Sequence, residues 1–267
     1  MFMKKKIAYV GIDLLFPVLE ALVANGCEVI ELFSCPTDNV TEFNTRITSY
    51  ANSEGIPLKM ERITGADLAR LKEKGCQLLV CGGYYYRIPV TDAFPMVNFH
   101  PSMLPEGRGS WPMATALLKG LKSSGITAHK IAKGFDEGDI LLQRSFPLGD
   151  NDTHKDYMDK VYACVPEMVS CLLSDFDELW ENAKPQGKWE YWECPTEKDY
   201  TIRFDMTVEA ADRVLRAFYG YECVYIGSDG KSREIVNGRA FRGDAPAGVE
   251  TLPLKDGYVK VEEKVYL

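Results

Sequence analysis

The stretch KIAYVGIDLLFPVLEALVANGCEVIELFS, residues 6–34, decides the fold. It opens on KIAYVGI (6–12), an apolar run without polar alternation, as expected of a strand covered on both faces. Leu15, Val18, Leu19, Leu22 and Val23 then recur at helical spacing, and Gly26 stands where a helix ends. CEVIELFS (27–34) reads as a second strand. Moving outward, Phe43, Ile47 and Tyr50 mark a helical pattern, followed by a short run at Ile56–Met60. A helix near 65–74 stops at Gly75, and CQLLVCGG (76–83) is a further apolar strand. Strands alternating with helices predict an α/β fold, with a mostly parallel sheet and helices on both faces.

PMVNFH (95–100) extends that sheet. Alternate side chains of a strand share a face, so Asn98 and His100 point one way while Val97 and Phe99 point the other. The PSMLPEGRG that follows cannot continue a strand. Asn98 and His100 are therefore expected at the carboxyl end of a parallel strand, the edge where open α/β sheets bind ligands. Pro112 suits the first turn of a helix through about Gly120. GITAHKIA (125–132) and DILLQRSFPL (139–148) read as two antiparallel strands joined by KGFDEG, and a helical pattern spans 152–183 with a kink expected at Pro166. The polar, Trp- and Pro-containing NAKPQGKWEYWECPTEKD (182–199) reads as a linker. A helix at 207–218 and four β-like runs follow: ECVYIG, REIVNGRAF, GVETLPL and GYVKVEEKVYL. The expected organisation is a catalytic domain over 1–184, a linker over 185–199 and a small β-rich domain over 200–267.

Composition narrows the function. The 267 residues are 46% hydrophobic and 26% charged, with a formal charge of −8, which disfavours nonspecific gripping of DNA, RNA or an anionic membrane by overall charge. The apolar N-terminal run is interrupted by Asp13, Pro17 and Glu20, so neither a signal peptide nor a membrane span is expected. Eight cysteines without regular spacing predict reduced thiols and a cytoplasmic location. GSDGKS (227–232) lacks the earlier glycine of a phosphate-binding loop and reads as a hairpin turn. YVGID (9–13) lacks dinucleotide-loop spacing, and GRGSW does not have the order of a nucleophile elbow. His100 and His129 have no carboxylate or cysteine at metal-ligand spacing, so no metal is expected. Asn98, His100 and Asp136 converge at the sheet edge as amide, imidazole and carboxylate, a set suited to acyl transfer.

NFHPSMLPEGRG (98–109) resembles the N-x-H-P-S-L-L-P-x-x-R-G signature of the 10-formyltetrahydrofolate-dependent formyltransferases, and GITAHKIAKGFDEGDILLQ (125–143) resembles their second signature. The N-terminal strand and helix are similar to the start of methionyl-tRNA and sugar N-formyltransferases. AADRVLRAF and the short strands after it resemble their C-terminal module. The resemblance implies a Rossmann-like domain with a small β-rich domain, and a catalytic trio of Asn98, His100 and Asp136, with protonated His100 stabilising an oxyanion. It implies 10-formyltetrahydrofolate as co-substrate, with Tyr85, Tyr86, Arg87, Ile88, Pro89, Met96, Lys133, Gly134 and Phe135 around the pterin.

The acceptor is less defined. Relatives acting on tRNA carry a basic, glycine-rich loop after the second strand, whereas CPTDNVTEFNTRITSY (35–50) sets Arg46 against Asp38 and Glu42. A surface that grips RNA phosphates needs clustered Lys and Arg. The expected acceptor is therefore the primary amine of a small molecule such as a nucleotide-linked amino sugar. Methionyl-tRNA is the alternative, and hydrolysis of the folate with water as nucleophile is a further one. A glycinamide ribotide and a catalytically idle folate-binding role also stay open. The sequence does not determine an oligomeric state.

Overall fold

The computed structural model describes residues 4–262. Its main sheet contains seven strands in the order β3-β2-β1-β4-β5-β6-β7: β1 (Lys6–Gly11), β2 (Glu28–Phe33), β3 (Leu58–Lys59), β4 (Leu78–Gly82), β5 (Met96–His100), β6 (Ser123–Lys130) and β7 (Ile140–Pro147). The pairs β1/β2, β2/β3, β1/β4 and β4/β5 are parallel, and β5/β6 is antiparallel. Helices α1 (Phe16–Ala24), α2 (Thr45–Glu54) and α3 (Gly65–Glu73) join the parallel strands. The mostly parallel α/β fold read from the sequence is thus the one observed.

The apolar runs explain the layering. Ala8, Val10, Leu79, Cys81 and Met96 lie on one face of the sheet and pack in one buried cluster with Leu68 and Leu71 of α3. Ile7, Tyr9, Leu78, Val80, Val97 and Phe99 alternate with them and are equally buried. Each such side chain contributes roughly 1.5–3 kcal/mol when removed from water. Strand order reverses between β1 and β4, making their carboxyl ends a topological switch point. There Gly11 pairs with Gly82, and a Cβ on Gly11 would meet the Gly82 carbonyl oxygen at 2.4 Å, so the two strand ends approach too closely for any side chain. In the register of β4 and β5, Cys81 pairs with Asn98.

By internal contacts the chain divides into two units. The first comprises 1–108, 125–145 and 161–190; the second comprises 109–124, 146–160 and 191–267. The second contains α4 (Pro112–Lys119), β8 (Thr201–Arg203), α7 (Val208–Ala217), β9 (Cys223–Ile226), β10 (Ser232–Ile235), β11 (Gly238–Arg242), β12 (Thr251–Pro253) and β13 (Gly257–Val261). Its strands form two three-stranded sheets, β10-β9-β8 and β11-β13-β12. Thr207 caps α7, its Oγ1 accepting from the Ala210 amide at 3.3 Å. Gly227–Lys231 closes the β9–β10 hairpin, as expected of GSDGKS.

Three readings change. The helical pattern over 152–183 is two helices, α5 (His154–Ser174) and α6 (Phe176–Glu181). The first runs on through Pro166, and the break falls at Asp175, whose φ of −112° and ψ of 23° leave the helical region. REIVNGRAF is not one strand but β10 and β11, which belong to different sheets, because Asn237 turns inward and its Oδ1 accepts from the Gly220 amide at 2.9 Å. Finally, β8 carried no sequence signal, since three residues are too few to show alternation. The last five residues of GYVKVEEKVYL lie outside the described residues.

Within the second unit, Trp111, His154 and Tyr221 form an aromatic cluster with Phe218. His154 is fully buried; its Nδ1 donates to the Ala217 carbonyl at 3.2 Å, and its Nε2 has no hydrogen-bond partner. Burial pushes its pKa down from 6.5 to about 4, so the folded protein holds it neutral while the unfolded chain binds a proton below about 6.5. Stability from this neutral state is present above that value and is lost as pH falls toward 4. The wild type should lose on the order of 3 kcal/mol between pH 7.5 and 4 relative to His154→Phe, in paired denaturant titrations at several pH values. Parallel pH profiles for the two proteins would refute this.

Candidate active site

Asn98 and His100 leave β5 on the face that also carries Met96, as alternation requires. The strand stops at Pro101, and the chain turns back so that the His100 Nε2 lies 2.7 Å from the Gly107 carbonyl oxygen. A carbonyl only accepts, so this nitrogen carries the proton and Nδ1 is the open position of a neutral ring. The loop between is fastened at several points. Ser102 Oγ donates to the Glu106 carbonyl at 2.9 Å, Thr127 Oγ1 donates to the Ser102 carbonyl at 2.7 Å, and Gln143 Nε2 donates to the Leu104 carbonyl at 2.8 Å.

The open Nδ1 of His100 faces Asp136 Oδ1 at 3.5 Å. Asp136 belongs to the loop between β6 and β7 and has φ of +54°, in the left-handed region. Aspartate is one of the few side chains that tolerate it. Asn98 Nδ2 donates to His129 Nε2 at 3.0 Å and, more weakly, to Asp136 Oδ1 at 3.4 Å. His129 is set in this tautomer by its Nδ1, which donates to the Lys130 carbonyl at 2.8 Å. His129 Nε2 also lies 3.7 Å from Asp136 Oδ1. Amide, two imidazoles and carboxylate thus converge beside the end of β5.

Electrostatics bears on the resting charge of His100. Burial lowers the His100 pKa below its ordinary 6.5; the Asp136 charge and the Gly107 bond pull it up, and His129 pushes it further down. Desolvation prevails, so His100 is neutral near pH 7 rather than waiting as an imidazolium. The gap between Nδ1 and Asp136 Oδ1 has room for one proton, which both groups would stabilise.

The residues expected to flank a pterin fall into two sets. Tyr85 and Phe135 expose 43% and 42% of their surface, a large apolar area still available beside the cluster. Arg87 is exposed with its guanidinium 5.3 Å from the Phe135 ring centre, and the Tyr85 hydroxyl hydrogen-bonds Glu42. Tyr86 is half-buried beneath Arg62, Lys133 is exposed, and Pro89 and Gly134 are intermediate. Ile88 and Met96, by contrast, are buried in the apolar cluster under the sheet edge. Among the described residues no group of three or more His, Cys, Asp or Glu is arranged to hold a metal. No helix among them is long and apolar enough to cross a membrane.

Two participants went unrecognised in the sequence. His129 was read only as a metal ligand to be set aside, although its position opposite Asn98 in the β5–β6 register follows from antiparallel pairing. Gln186 sits in the stretch taken for linker, and its side chain reaches the backbone of Asp136 and Gly138. Periodicity carries no signal for such a contact.

Comparison with known proteins bears on the family. A family model described as formyl transferase matches residues 47–170. A methionyl-tRNA formyltransferase of Ehrlichia ruminantium (strain Welgevonden) is 30% identical over 210 residues, covering 75% of this chain and 67% of that protein. An N-formyltransferase from Helicobacter canadensis, solved with folinic acid and dTDP-3-aminofucose, superposes with a TM-score of 0.68 at 20% identity, over 98% of this chain and 100% of that one. HypX from Aquifex aeolicus, solved with tetrahydrofolic acid, superposes with a TM-score of 0.70 at 17% identity over 96% of this chain, which spans only 43% of HypX. On sequence and fold together, this chain belongs to the formyl transferase family.

Proposed function

We propose that this chain transfers a formyl group from 10-formyltetrahydrofolate to the primary amine of a small acceptor, with a nucleotide-linked amino sugar as the acceptor class. The observation that carries this reading is the convergence of Asn98 and His100 on Asp136, with the His100 Nε2 held by the Gly107 carbonyl and its Nδ1 open toward the carboxylate. When an amine adds to a formyl carbon, the carbonyl oxygen gains charge and the amine nitrogen must lose a proton. Asn98 Nδ2 can turn one N–H toward that oxygen by releasing its long 3.4 Å bond to Asp136, while keeping its 3.0 Å bond to His129. His100 Nδ1, backed by Asp136, takes the amine proton. As an imidazolium it then donates to the oxyanion and passes the proton to the departing nitrogen, so one proton moves from acceptor to leaving group. The folate supplies the formyl carbon and that leaving nitrogen. Tyr85 and Phe135 offer it apolar surface, and the backbone of the 133–135 loop offers polar groups.

Two observations favour a small acceptor. The Helicobacter canadensis N-formyltransferase, whose structure contains dTDP-3-aminofucose, superposes on this chain with a TM-score of 0.68. In addition, the arginines of 200–262 are largely spent locally: Arg216 and Arg239 on Asp212, Arg242 on Glu209 and Asp256, and Arg203 on Asp205. A guanidinium already paired has less to gain from an RNA phosphate. Methionyl-tRNA remains the second reading because the Ehrlichia relative carries that name. The boundaries 1–184, 185–199 and 200–267 and the cytoplasmic location are part of the same proposal.

Single variants Asn98→Ala, His100→Ala and Asp136→Ala should each lower turnover by about 10²-fold or more without lowering the melting temperature by more than a few degrees. The Asn98→Ala/His100→Ala double variant should fall well short of the product of the single effects, because the groups serve one oxyanion. Wild-type turnover in Asp136→Ala with every acceptor tried would remove it from the mechanism. For the acceptor, formyl transfer to a dTDP-linked amino sugar and to methionyl-tRNA is compared at low and physiological salt. The sugar is expected to be the better substrate, with little salt dependence. Efficient formylation of the tRNA, falling steeply with salt, would reverse the assignment.

A further inference from the structure

The left-handed backbone at Asp136 needs something to hold it. A non-glycine residue at φ of +54° sits in an unfavourable region and persists only where its surroundings impose it. The carboxylate faces Asn98, His100 and His129 at 3.4 to 3.7 Å. The backbone side is different. Gln186 Nε2 donates to the Asp136 carbonyl at 2.8 Å and to the Gly138 carbonyl at 2.6 Å, one amide spanning the turn. Its Oε1 accepts from Arg108 Nε at 3.0 Å, and Arg108 Nη2 donates to the Gly187 carbonyl at 3.1 Å. Gln186 and Arg108 are 9% and 8% exposed, so these bonds are shielded from water.

The turn is gripped from its other side too. A Cβ on Gly138 would lie 1.7 Å from the Lys130 carbonyl oxygen, so the backbone there presses directly on the end of β6. Two reciprocal backbone bonds of 2.8 Å between Ile140 and Lys184 lay the 184–187 segment alongside the start of β7. Only a primary amide meets this geometry: two N–H groups for two carbonyls, and one oxygen for the guanidinium. A glutamate would keep the Arg108 contact and turn charge onto both carbonyls; a methionine would fill the space with no polar group.

We propose that Gln186, held by Arg108, is a positioning residue for the reaction: it locks the 136–138 turn so that the Asp136 carboxylate faces His100 Nδ1. This rests on the formyl-transfer reading for its catalytic consequence, while the geometric part stands independently. His100 is faced by Asp136, by His129 and by the Gly107 carbonyl; Gln186 bonds the backbone of the first directly and reaches the last through Arg108. Releasing the turn should therefore weaken the two contacts that favour protonation of His100, the Asp136 charge and the Gly107 bond.

The test uses the full chain with Gln186→Met, followed in two ways. With the acceptor that the wild type uses, kcat should fall roughly 10- to 100-fold while KM for donor and acceptor changes little, as expected when a group near the reacting atoms is misplaced. In the free protein, the His100 titration followed by NMR should move to lower pH, an effect that a purely structural role for Gln186 does not produce. Either readout remaining at its wild-type value overturns the proposal. If Gln186→Met does not fold, Gln186→Leu takes its place with the same two expectations; if neither folds, the role is structural and the proposal fails. Should the wild type transfer formyl groups to no acceptor, the functional reading fails, and the NMR readout alone still decides whether Gln186 positions Asp136.

Discussion

The hydrogen bond from His100 Nε2 to the Gly107 carbonyl organises the candidate site. It closes the 101–107 loop onto the end of β5, selects the tautomer and leaves Nδ1 as the only position of the ring open to Asp136. The bond is possible because β5 must stop. Pro101 has no amide hydrogen for the ladder, and the loop that follows returns Gly107 to the strand end. Without it, an imidazole at the edge of the sheet would be free to rotate, and neither its tautomer nor its direction would be determined.

The same burial that fixes His100 also sets its charge. A fully solvated histidine beside a carboxylate would gain a proton, but here desolvation outweighs the attraction of Asp136 and the ring stays neutral. In the proposed reaction, a neutral base that becomes a charged donor only after taking the acceptor's proton would tie oxyanion stabilisation to the step that creates the oxyanion. His129 adds to this arrangement: it receives one Asn98 N–H at 3.0 Å, while the Asn98 contact to Asp136 is longer, at 3.4 Å. Backbone geometry contributes on the other side, because Asp136 reaches His100 from a left-handed turn.

Much of the fold was legible in the sequence because its strands are buried on both faces. KIAYVGI, CQLLVCGG and PMVNFH are apolar enough to leave no other interpretation, and their two-residue alternation put Asn98 and His100 on one face. The motif pointed to Asn98, His100 and Asp136, and the fold brings the first two within 3.4 and 3.5 Å of the Asp136 carboxylate. What was not legible depends on contacts between residues far apart in the chain. Gln186 reaches Asp136 across fifty positions from a polar stretch with no periodicity. The break at Asp175 hides inside a helical pattern that continues on both sides, and Val236–Asn237 splits an apparently single strand because Asn237 finds its partner at Gly220. Charge was also hidden: residue identity gives histidine an ordinary pKa near 6.5, and only burial says which way it moves.

The most direct measurement of the central claim is the tautomer and charge of His100, from ¹⁵N chemical shifts of the imidazole ring at pH 7 in the free protein, assigned with His100→Gln. The expected result is a neutral ring protonated at Nε2, with Nδ1 bare. A ring protonated at Nδ1, or an imidazolium at that pH, would contradict it.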